Sequence, residues 1–257
     1  MILFKIFLLL SFLLLPSLAF AWGPLTHIYL GNQLYSLGAF LPAGLFEIIR
    51  RYKKDFLYGN LMADIIVGKK YLPAQKNSHS WEFAFDLLEE AKTKQQKSFA
   101  YGYMSHLAAD TVAHNVYTVN KKNIIHSILE IKADSIINKK YWFQAIGIDK
   151  KTQIRNDIFL ENSIEKFIFS FRTNKRILKG MVFLTFFYRE RINDFIDNNL
   201  ITSLPMRETI VKLQKDSLDN IIELFQNWEK SEVVKINPNG IHHKNRFLKN
   251  ELARYFF

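Results

Sequence analysis

The chain has 257 residues, 49% of them hydrophobic, no cysteine, and 35 Lys and Arg against 24 Asp and Glu, for a formal charge of +11. The lack of cysteine excludes disulfides, a lipid-modified N-terminal cysteine and thiolate metal ligands, so any zinc here is held by nitrogen and oxygen. The basic balance favours a polyanion, phospholipid or nucleic acid, without choosing between them.

Residues 1–21 carry one cation (Lys5), a Leu/Phe/Ile run, Pro16, and small residues at Ala19 and Ala21. This is the pattern of a secretory signal cleaved after Ala21, although an uncleaved anchor has a similar composition. About 236 residues remain after it, enough for one substantial core. No later stretch is apolar for long enough to cross a bilayer, which predicts a soluble or peripheral mature protein, periplasmic or secreted.

From there the periodicity is helical. Apolar residues recur three and four apart in Leu41–Tyr52, Trp81–Ala91, Phe99–Val116, Ile124–Ile137, Ile154–Phe171, Arg176–Phe195 and Ile210–Trp228. Connections are expected at Gly68–Pro73, Asn120–Asn123, Gly147–Lys151, Asn198–Pro205 and Asn237–Gly240, where Gly, Pro and Asn gather. Strand-like alternation is scarce, so the fold class is all-α. A histidine-rich half is followed after about residue 150 by a more basic, Phe-rich half, whose Phe183–Tyr188 stretch reads as helix core.

Five of the seven histidines fall between residues 27 and 126. On the helix predicted over Phe99–Val116, His106, Asp110 and His114 stand at i, i+4 and i+8. They drift only about 40° per step and so share one face. Asp110, with two oxygens, is placed to bridge a metal on His106 and another on His114. His126 and Glu130 repeat the i, i+4 arrangement one helix later, with Asp134 a turn further along. Asp64, in Gly59-Asn-Leu-Met-Ala-Asp64, and His79, in Asn77-Ser-His79-Ser-Trp81, sit beside residues typical of helix ends or loops. They offer a carboxylate and an imidazole to a metal held by His106 and Asp110. Cleavage before Trp22 would free an amine with a pKa near 8, which together with His27 makes a further pair of donors. His242 and His243 read as an exposed loop.

These residues, in this order, resemble the zinc-dependent phospholipase C family, which includes bacterial phosphatidylcholine-hydrolysing enzymes and the catalytic domain of glycosylphosphatidylinositol-specific phospholipase D. The stretch AYGYMSHLAADTVAHN (Ala100–Asn115) looks like that family's histidine-aspartate-histidine helix. The segments WGPLTH, GNLMAD and HSILE match in order, over roughly Trp22–Asp134. The resemblance implies a zinc-binding helical catalytic core over 22–150, with a basic helical part over 151–257 packed on it. It implies two to three zinc ions: one on Asp64, His79, His106 and Asp110, one on His114, His126 and Glu130, and one on Trp22, His27 and Asp110. It further implies a phosphodiesterase acting on phospholipid headgroups through metal-activated water, with Asp64 as candidate general base. Peripheral contact with an anionic membrane surface is expected, and no obligate protein partner is evident.

Some features differ from that pattern. Ala63 stands where a proline often precedes the aspartate, and residues 151–257 carry no motif that aligns. The five-residue step from Trp22 to His27 looks like the related zinc nucleases for single-stranded nucleic acid, whereas Glu130 and the short Asp110-to-His114 gap look like the phospholipases. A zinc nuclease or phosphatase, and a non-catalytic envelope protein braced by metal, therefore remain as alternatives, with nucleic acid the less favoured partner.

Overall fold

A computed structural model describes residues 22–65, 78–117, 123–164, 170–180, 182–183 and 207–240, with the side chains of 123–128 left out. Every regular element among the described residues is helical: α1 (Pro24–Gln33), α2 (Ala43–Arg51), α3 (Lys53–Met62), α4 (Trp81–Glu89), α5 (Lys94–Val112), α6 (Asn123–Ser135), α7 (Lys140–Ile146), α8 (Lys150–Ser163), α9 (171–180) and α10 (Arg207–Asn227), with short 3₁₀ turns. Among the described residues no helix is long and apolar enough to cross a membrane.

The fold is organised around α5. It starts at a capping box, in which Thr93 Oγ1 accepts from the Gln96 amide at 3.2 Å and Gln96 Oε1 accepts from the Thr93 amide at 3.0 Å. This cap starts the helix several residues before Phe99, where the apolar pattern begins. Every residue from Ser98 to Val112 is buried. A helix enclosed on all sides needs neighbours on all sides, and α3, α4 and α10 supply them. The closest neighbour is α3. A Cβ at Gly59 would overlap the Phe99 carbonyl, and one at Gly102 would overlap the Phe56 carbonyl, so the two helices cross backbone to backbone at two glycines.

Three helices escape the periodicity reading, α1, α3 and α7, each of at most ten residues. α1 has Pro24 in its first turn but no side-chain cap of its own. Asp134 of α6 supplies one from a distance, accepting from Leu25 N at 3.1 Å, Thr26 N at 2.8 Å and Thr26 Oγ1 at 2.7 Å. The place of Gly23 follows, because a Cβ there would meet the Asp134 carboxylate. α8 begins at Lys150 rather than Ile154 because Asp149, within an expected connection, caps it by accepting from Thr152 N at 2.9 Å.

The chain beyond residue 150 is tied to the histidine-rich half. On α8, Asp157 accepts from Tyr58 Oη at 2.5 Å, and Arg155 and Asn156 hold the buried Asp55 of α3. On α10, Ile210, Leu213, Ser217, Ile221 and Leu224 form a buried stripe, and Asn220 donates to Thr111 Oγ1 of α5 at 2.9 Å. Phe183, expected in a helix core, is 60% exposed. The rest of Phe183–Tyr188, the connections Gly68–Pro73 and Asn198–Pro205 and His242-His243 lie outside the described residues, as does most of Asn120–Asn123.

Candidate active site

α5 presents His106 and Asp110, one turn apart, to the end of α3 and to the segment before α4. Asp64 follows α3, and His79 lies two residues before α4. That segment is fixed by Tyr103 Oη, which donates to Ser78 O at 2.7 Å, and by Asn239 Nδ2, which donates to His79 O at 2.6 Å. Asp64, His79, His106 and Asp110 are all buried, and one donor atom from each lies within 4.8 Å of the others. His106 Nε2 is 3.1 Å from His79 Nε2, 3.2 Å from Asp110 Oδ2 and 3.5 Å from Asp64 Oδ2. His79 Nε2 is 3.0 Å from Asp110 Oδ2 and 3.9 Å from Asp64 Oδ1.

Hydrogen-bond chemistry determines what this arrangement suits. His106 Nδ1 faces Asn60 O at 2.8 Å. A carbonyl only accepts, so Nδ1 carries the proton and Nε2 of the neutral ring is a bare lone pair. That lone pair points into two carboxylates and a second imidazole nitrogen. Such a convergence is repulsive unless a cation occupies the centre or a proton, that of His79 Nε2 or an extra one, is shared across it. Without a metal the cluster draws an extra proton: burial works against it, but Asp64 and Asp110 outweigh burial and push His106 up to about 9. Asp110 is held well below the usual carboxylate range, since His106 and His27 overcome the effect of its own burial. Asp110 Oδ2 is buried without a hydrogen-bond partner. Four donors around a tetrahedral zinc, each about 2.0–2.2 Å from it, stand roughly 3.4 Å apart. The observed separations of 3.0–3.9 Å bracket that value. The residues fit a zinc ion.

The other oxygen of Asp110 faces a different group. Oδ1 is 3.2 Å from His27 Nε2 and 3.4 Å from the Trp22 backbone nitrogen. The His27 ring stacks on His106 with centroids 3.6 Å apart, and neither of its nitrogens makes a well-formed hydrogen bond. Burial, then the neighbouring His106, lowers its pKa. Trp22 is held by its indole, which donates to Ser217 Oγ at 3.0 Å and stacks on Tyr117 at 4.9 Å. Asp110 therefore spans the His79/His106 side and the His27/Trp22 side.

His114 lies in a π-helical turn, Ala113–Tyr117, that follows directly on α5. Such turns insert an extra residue and are common at functional sites. The His114 ring meets His79 edge-on at 6.3 Å, and Gly240, at φ +62°, lies against its Cβ. Glu130 is buried on α6, which the turn holds through Tyr117 Oη donating to Leu129 O at 2.8 Å. Burial and then the carboxylates of Glu130 and Asp134 push the Tyr117 hydroxyl up. The His126 side chain lies outside the described residues. Asp134, read as a further member of the His126/Glu130 stripe, faces the start of α1. Asn60, Asn239 and Ser217 orient His106, His79 and Trp22 without any metal-ligand signal of their own in the sequence. Asn60 lies within the Gly59–Asp64 motif, whereas the other two become visible only through contacts more than 150 residues apart in sequence.

Fold and site together define a helical protein with a buried, histidine- and carboxylate-lined centre suited to a divalent metal. The family model for zinc dependent phospholipase C matches residues 26–177, more than half of the chain. The chain belongs to that family, and the match runs well past Asp134, where the readable motifs stop. No match emerges from comparison with curated proteins or with solved structures.

Proposed function

We propose that the protein is a zinc-dependent phosphodiesterase that hydrolyses headgroup phosphoesters of phospholipids. The observation that carries this reading is the convergence of His79 Nε2, His106 Nε2 and both oxygens of Asp110 in a family whose members are zinc-dependent phospholipases C. Asp64, His79, His106 and Asp110 would hold one ion, Trp22, His27 and Asp110 another, and His114, His126 and Glu130 a third. When bound, zinc lowers the pKa of coordinated water towards neutrality and offsets the charge that gathers on phosphoryl oxygens.

The chain's own residues set up the rest. Asn60 O fixes the His106 tautomer, so that Nε2 is the donor atom. Asp110 divides its oxygens between two sites and keeps them close together. Asp64 is the carboxylate farther from the two imidazoles, 3.9 Å from His79 and 3.5 Å from His106, and it is the group proposed to take a proton from the attacking water. Export with cleavage before Trp22 would turn the nitrogen facing Asp110 Oδ1 into an amine.

The aromatic residues beside the metal motifs speak against a nuclease. Trp81, Tyr103 and Tyr117 are buried, and each polar end is engaged, with Ile236 O, Ser78 O and Leu129 O respectively. None presents a face on which a base would stack. The test is turnover by the zinc-loaded chain beginning at Trp22, offered phosphatidylcholine, phosphatidylinositol and single-stranded DNA in parallel. Release of water-soluble phosphorylated headgroup, lost in Asp64→Asn, is expected. Nucleotide release with inert lipids would replace this reading with the nuclease one.

A further inference from the structure

Away from the histidines, α3, α7 and the segment around α9 enclose a cleft of about 430 Å³, within the range of about 300–1,000 Å³ common for small-ligand sites. Its floor is apolar and buried, formed by Met62 (2% exposed), Trp142 (1%) and Leu178 (4%). Its lip is apolar and exposed: Ile146 is 58% and Phe183 60% accessible. None of the residues assigned to metal lines it.

Two cations lie along this apolar surface, and their surroundings differ. Lys175 is ion-paired with Asp157, and its ammonium sits 5.4 Å from the centre of the Tyr58 ring. Lys179 donates instead to a neutral amide, Gln153 Oε1, at 2.8 Å, and it makes no ion pair among the described residues. Burial and then the neighbouring Lys175 disfavour its charged form, and the carboxylate of Asp157, already paired with Lys175, offsets this only in part. An anion at Lys179 would relieve that strain. A neutral hydrocarbon would leave the ammonium without an ion-pair partner, and a small anion would leave the floor and lip uncovered.

We infer that this cleft binds a long-chain carboxylate, its alkyl chain lying against Met62, Trp142 and Leu178 and its head group on Lys179 Nζ. The site is separate from the metal centre, although Met62 precedes Asp64 by only two residues.

Calorimetric titration of the full chain with laurate, dodecanol and acetate, below any micelle concentration, tests the inference. Saturable binding of one laurate per chain is expected, with acetate silent and dodecanol weaker. Lys179→Glu should weaken laurate roughly tenfold, with ion-pair loss and charge repulsion acting together, and should leave dodecanol unchanged. Ile146→Glu, at an exposed position the fold tolerates, should weaken both. Laurate binding should persist after zinc is removed by chelation. The inference is overturned by a silent laurate titration, by unchanged laurate affinity in Lys179→Glu, or by loss of binding on chelation, which would place the carboxylate at the metals.

Discussion

Replacing Asp110 with Asn is the most demanding test of the proposed centre. The substitution keeps the shape of a side chain with no exposure but removes the charge that faces His79 at 3.0 Å, His106 at 3.2 Å and His27 at 3.2 Å. Zinc held by four protein ligands is bound with about 10–16 kcal/mol, so one ligand is worth roughly 3 kcal/mol, or about a hundredfold in Kd. Because the two oxygens face different donor groups, the loss should reach more than one ion. Metal per chain, measured after dialysis against chelators of graded strength, should fall by at least one full equivalent relative to wild type. Thr93→Ala provides the control. It removes the cap of α5, far from the donors, and should lower stability by about 1 kcal/mol with metal content intact. An Asp110→Asn protein with wild-type stoichiometry and the same chelator midpoint would refute the shared-carboxylate reasoning.

Gly102→Ala should be costly, because the new Cβ overlaps the Phe56 carbonyl and backbone cannot swing aside. A loss of about 1–3 kcal/mol is expected, with weaker metal binding as Asn60 O is pushed from His106. Gly44→Ala, with open space around its Cβ, should instead be neutral or stabilising by up to about 1 kcal/mol, and chemical denaturation that fails to separate the two would count against the close crossing. The Asp149 carboxyl is held below the usual range by the Thr152 amide and then by Lys54. A depressed folded-state pKa gives stability that is present above the unfolded value and lost as pH falls through the folded one. Asp149→Ala should therefore lower Tm at neutral pH, by an amount that shrinks steadily below about pH 4; a constant offset would deny the charged cap. Adding one alanine before Trp22 in the processed chain should remove one zinc equivalent, and unaltered metal content would show that the terminal amine is not a donor.

The all-α class was legible because apolar residues recur three and four apart along most of the chain, and strand-like alternation is scarce. The donor set was legible for a related reason: a helix repeats every 3.6 residues, so His106 and Asp110 must share a face wherever that helix lies. The short helices were not legible. α1 owes its start to Asp134, more than a hundred residues away, and α3 is held by a glycine crossing whose partner lies on α5.

Which donors meet was likewise beyond local pattern. Local spacing read one unbroken α-helix through His114, whereas the α-helix ends at Val112 and a π turn, Ala113–Tyr117, carries His114. The sequence by itself determined a helical scaffold rich in nitrogen and oxygen donors at one-turn spacing, because backbone periodicity is a local property. Only the tertiary structure decided that Asp110 looks towards His27 and Trp22 on one side and towards His79 and His106 on the other. That choice depends on where α1, the loop before α4 and α5 come to rest against each other, and only long-range packing sets it.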